Sequence, residues 1–68
     1  MMLDFSKTIL EKVSFDSYLF HKELKKLILW LGEEKEEIKN LYQWCADKYG
    51  NEYAEIIKGE FEKQLYKD

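Results

Sequence analysis

Two glycines, Gly32 and Gly50, punctuate a chain that has no proline and no loop-like cluster between Phe20 and Leu65. On either side of each glycine, apolar residues recur at intervals of three and four. That period belongs to a helix with one dry face, and strands would alternate every second residue instead. From Ser17 to Leu31 the stripe is Phe20, Leu24, Leu27, Ile28 and Leu31. These positions span an arc of about 100° at 3.6 residues per turn, with Lys22, Lys25 and Lys26 on the far side. The next stripe is Ile38, Leu41, Tyr42, Cys45 and Tyr49; the last is Tyr53, Ala54, Ile57, Phe61 and Leu65.

The boundaries follow from capping chemistry. Gly32 supplies the left-handed backbone that ends a helix, and Asp16 is a good N-cap. Glu33, Glu34, Glu36 and Glu37 open the following segment, where carboxylates oppose the positive end of the helix dipole. Gly50 ends that helix and Asn51 caps the next. Gly59, inside the last stripe, marks close helix approach. Upstream, Phe5, Ile9 and Val13, with Leu10 alongside, predict a short first helix capped by Ser6. Phe5 and Phe15 stand where hydrophobic staples would reach Leu10 and Phe20.

The expected fold is therefore all-α: an antiparallel three-helix bundle plus a short N-terminal helix covering an open edge. The four helices are expected at about 6–13, 17–31, 33–49 and 52–66 of one domain covering 1–68. Folding about Gly32 sets Leu24 against Leu41 and Tyr42, and Phe20 near Cys45. Folding about Gly50 sets Tyr49 beside Tyr53, and Ile38 near Phe61. A chain of 68 residues hides only about 60% of its unfolded surface, so dense packing or a partner has to supply stability. Eleven aromatic residues serve the first route.

Composition narrows the function classes. Formal charge is −3, and all eleven basic residues are lysines. Arginine is the main tool for reading bases and gripping phosphates, so no nucleic-acid partner is expected. A helix-turn-helix would present the Glu33–Tyr49 segment to DNA with four glutamates in its leading turn. The longest apolar run, Leu27 to Leu31, is five residues, and Met1 to Leu10 lacks a signal-peptide pattern. With a single cysteine, the cytoplasm is the expected compartment and no membrane partner is expected.

Motif chemistry is sparse. Each glycine is followed by Glu or Asn, so no phosphate loop exists, and there is no Gly-x-Ser-x-Gly, zincin or calcium-loop pattern. Glu33, Glu34 and Glu37 read as solvated helix-start carboxylates rather than a cation site. One histidine and one cysteine make no structural zinc site. No cofactor, metal or small-molecule substrate is expected. His21 and Cys45 lie almost equidistant from the Gly32 corner, which leaves a thiol-based enzyme or redox sensor using Cys45 as the alternative function. The more economical assignment of Cys45 is a small core hydrophobe.

Apolar residues off the stripes point elsewhere. Tyr18 and Leu29 project from the lysine face, and Trp30 and Trp44 flank their stripes. Such residues anchor protein interfaces, or wrap the edge of a small core. The expected function is a non-enzymatic protein-interaction or regulatory module, with a protein partner or self-association through Tyr18, Leu29, Trp30 and Trp44.

The run Phe5-Ser6-Lys7-Thr8-Ile9-Leu10-Glu11-Lys12-Val13-Ser14-Phe15-Asp16, then Leu19-Phe20 and Lys22-Glu23-Leu24, resembles a group of small uncharacterised bacterial proteins. Trp44-Cys45 and Tyr53, Ile56, Ile57 and Phe61 are also similar to that group. The resemblance implies a free-standing small helical protein and transfers no functional residue, because the group has no assigned activity.

Overall fold

The computed structural model describes residues 2–66, with side chains from Asp4 onward. The described chain is all-helical: α1 (Met2–Val13), α2 (Ser17–Leu31), α3 (Lys35–Tyr49) and α4 (Ala54–Leu65), with no strand among the described residues. Both α2 and α3 pack against each of the other three helices, whereas the backbones of α1 and α4 do not approach each other closely. One core draws on every stripe predicted above, from Phe20, Leu24 and Leu27 through Ile38, Leu41 and Cys45 to Ile57 and Phe61, with Tyr42 and Leu65 partly buried against it. Ala54, expected in the last stripe, is exposed.

Two cap assignments hold. Asp16, in an extended conformation, accepts hydrogen bonds at Oδ1 from the Tyr18 and Leu19 amides at 2.9 and 3.1 Å. Gly32 takes φ +59° and donates its N–H to the Ile28 carbonyl, closing α2. A side chain at that φ would clash with its own backbone, which is why glycine stands there.

The ends of α1 at Val13 and of α3 at Tyr49, just before Gly50, also fall where expected, but the starts of α1, α3 and α4 differ from the sequence reading. α1 begins at Met2 and is as long as α4, twelve residues each, so it is no short appendage. Strong helix formers precede Ser6, and the helix runs through it instead of starting at it. This rotates the dry stripe by one position: Ser6 and Leu10 are fully buried, Ile9 and Val13 lean on the core, and Phe5 is half exposed. Ser6 is thus not a cap, and its Oγ has no hydrogen-bond partner among the described residues. Phe15 is 79% exposed, so its staple onto Phe20 buries little. Because an unpaired buried hydroxyl costs about 1–3 kcal/mol, Ser6→Ala is expected to raise stability by about 1 kcal/mol. A lower urea midpoint for that variant would contradict the placement.

α3 starts at Lys35, so only Glu36 and Glu37 lie in its first turn, and Glu33 and Glu34 form the corner. Asn51 does not cap α4. Gly50 keeps right-handed helical angles, and Glu52 and Tyr53 both donate to the Tyr49 carbonyl, so the chain overruns and α4 starts at Ala54, two residues later than expected, with Tyr53 at its N-cap. The need for glycine at position 50 is spatial: a Cβ there would overlap the Ala46 carbonyl oxygen. At Gly59 a Cβ would meet open space, so that residue marks no close approach.

Candidate functional site: the outer face of α2

The inner face of α2 buries five apolar residues against its neighbours. The same helix leaves Tyr18, Leu29 and Trp30 exposed at 72%, 65% and 60%. The periodicity that turns Phe20, Leu24 and Leu31 inward turns Tyr18, Lys22, Lys25 and Leu29 outward. Tyr18, His21, Lys22 and Lys25 line an open depression of about 210 Å³ on this face. Trp30 meets Phe5 of α1 edge to face, ring centroids 5.9 Å apart, so the apolar surface extends across a helix junction. Phe5 is the residue that sequence reasoning missed here, because its position suggested a staple rather than a surface aromatic.

Trp44 occupies different ground. It is half-buried, packs on the core and meets Tyr49 edge-on at 5.7 Å. Lys7 and Lys48 approach its ring at 5.7 and 5.4 Å, a cation–π arrangement. Lys48 also donates to Glu11 Oε2 at 2.5 Å, tying α3 to α1, and this hydrogen bond raises its pKa above the ordinary lysine value. The structure therefore brings Tyr18, Leu29 and Trp30 onto one helix and sets Trp44 apart from them, as a wrapper of the core edge.

His21 and Cys45 are not joined. Cys45 has no exposed surface, and burial pushes its thiol up to about 12. His21 Nε2 lies 2.7 Å from Glu60 Oε2 of α4. Glu60 is nearly buried, an exception among the described acidic residues, and also receives Lys63 Nζ at 3.4 Å. Its flanking position beside Ile57 and Phe61 was the one sequence signal for this bond, which reaches the single histidine across two helices. Burial by itself raises the Glu60 carboxyl, but the His21 hydrogen bond and the Lys63 charge outweigh it and hold the carboxyl below its ordinary 4.5. A depressed carboxyl stabilises the fold above pH 4.5 and loses that contribution as pH falls through the lower folded value. Glu60→Gln is accordingly expected to flatten the fall in urea midpoint between about pH 5 and pH 3. Parallel acid profiles for wild type and variant would refute this.

Two other depressions, of about 450 and 410 Å³, open beside the start of α4 and between Tyr42, Leu65 and Tyr66. No three of His, Cys, Asp and Glu converge on a common point among the described residues. No described helix is long and apolar enough to cross a membrane. No protein-family model matches the chain, and no curated protein or solved structure is similar enough to it to count as a match.

Proposed function

We propose that this chain is a non-enzymatic protein-interaction or regulatory module of the cytoplasm, acting through the outer face of α2. The reading takes α2, α3 and α4 as an antiparallel three-helix bundle, with α1 laid along α2 and α3 at its edge. Short connections of three and four residues between these helices support that arrangement. One observation carries the functional reading: a helix that buries five apolar side chains still exposes Tyr18, Leu29 and Trp30. Large apolar residues concentrated on one surface element are what interface anchors look like before the partner arrives. The thiol alternative has less support, because Cys45 is enclosed and His21 is engaged by Glu60.

The double replacement of Leu29 and Trp30 by glutamine tests the reading. Exposed substitutions change stability by about 0.5 kcal/mol or less, and losing the Phe5–Trp30 edge contact adds about 0.5–1 kcal/mol. Helicity is therefore expected to persist while association, read by light scattering and affinity capture, falls at least tenfold. If the wild type is strictly monomeric and captures no partner, the proposal has no remaining basis.

A further inference from the structure

The outward residues of α2 are spaced four, three and four apart: Tyr18, Lys22, Lys25, Leu29. That is the spacing of a heptad seam, the line along which one helix receives another. The seam spans about 16 Å of helix axis, with an exposed apolar residue at each end and two lysines between them. Three lysines elsewhere pair with carboxylates, Lys26 with Glu23, Lys48 with Glu11 and Lys63 with Glu60, whereas Lys22 and Lys25 belong with the larger set that does not. Among the described residues no carboxylate lies within ion-pair distance of Lys22 or Lys25. The single acidic residue of α2, Glu23, falls off the seam and pairs with Lys26.

Resting on the interaction reading above, we infer that the partner is an acidic amphipathic helix, docked along the Tyr18–Lys22–Lys25–Leu29 seam. Its complementary stripe carries two carboxylates one turn apart, bracketed by apolar residues, in the pattern apolar-x3-acid-x2-acid-x3-apolar. The apolar ends pack on Tyr18 and Leu29, and the carboxylates meet Lys22 and Lys25. A lysine within such a seam selects its partner by charge, at some cost in affinity. A second copy docking α2 against α2 does not satisfy this. In either orientation the two-fold axis sets lysine against lysine, Lys22 facing Lys25 when antiparallel and itself when parallel. Nor does a bilayer fit as well, because two lysines contribute only about 1 kcal/mol each at an anionic surface and the whole chain is acidic.

The test titrates the isotope-labelled full chain with two alanine-rich peptides of about 21 residues, long enough to hold helix. One carries Leu-x3-Glu-x2-Glu-x3-Leu and the other has lysines in place of the glutamates. The glutamate peptide is expected to shift the amide resonances of the Tyr18–Leu29 stretch and to bind at least tenfold more tightly than the lysine peptide. The variant Lys22→Glu/Lys25→Glu, with its helicity checked by circular dichroism, is expected to reverse the preference. Equal binding of both peptides would overturn the acidic partner and leave the interaction reading standing. Shifts from neither peptide would also overturn it, and the Leu29/Trp30 association measurement then decides the broader reading separately. So would a dimer whose interface maps to α2, or shifts of the same face produced only by vesicles containing about 30% phosphatidylserine.

Discussion

Phe20→Ala is expected to leave the chain largely unfolded at 25 °C. Phe20 has no exposed surface; it stacks on Tyr53 at 4.5 Å and meets Tyr49 edge-on at 5.2 Å. Three helix-level elements therefore converge on one ring: α2 itself, the end of α3, and the turn that leads into α4. Removing a buried phenylalanine costs about 3–5 kcal/mol, from lost transfer energy and from the cavity left behind. Native stability at about 0.05–0.15 kcal/mol per residue is about 3–10 kcal/mol for a chain of this length. The two figures are comparable, so the variant is expected to lose most of its far-ultraviolet helical signal or to melt tens of degrees lower. Phe15→Ala is the control, because that ring is 79% exposed and its loss is expected to change stability by about 0.5 kcal/mol or less. Equal effects of the two substitutions would mean that the core is centred elsewhere.

The second large effect concerns Cys45. A thiol raised from 9.0 to about 12 carries about a thousandfold less thiolate at neutral pH, and the thiolate is the reactive species. Enclosure adds a steric barrier to the reagent. Iodoacetamide at pH 8 is accordingly expected to label the native chain at least a hundredfold more slowly than the urea-unfolded chain. Labelling then proceeds through transient opening, so its rate follows stability. His21→Ala is expected to accelerate labelling only as far as it lowers the urea midpoint, since the imidazole bonds Glu60 and not the thiol. Rapid stoichiometric labelling of the folded wild type would restore the thiol reading and displace the interaction module.

Tyr53 shows why so small a domain needs its aromatic residues. Its hydroxyl donates to the Ser14 carbonyl at 2.5 Å, bridging the α1–α2 corner to the start of α4, while its ring stacks on Phe20. Gln64 Nε2 likewise donates to the Gly32 carbonyl at 2.9 Å, holding the far end of α4 to the α2–α3 corner. Both bonds satisfy backbone acceptors at turns, where a helical ladder supplies no donor. Tyr42 and Phe61 stack almost parallel at 4.8 Å, joining α3 to α4 away from this centre. Polar ties at the corners and ring contacts between the helices supplement a core of limited size.

The stripes of α2, α3 and α4 were legible from residue order because a helix repeats every 3.6 residues, and the dry face is a property of spacing alone. Asp16 and Gly32 were legible for a related reason: a side-chain cap and a positive φ are local events, complete within four residues. Ser6 and Asn51 carry the same kind of signal and do not act on it, since helix continuation and the overrun past Gly50 outweighed their capping preference. The His21–Glu60 bond, the approach of Lys7 to Trp44 and the Phe5–Trp30 contact were not legible, because each joins residues that spacing within a single helix cannot relate. Periodicity assigns a side chain to a face; only the packing of one helix on another determines whether that face meets protein or water.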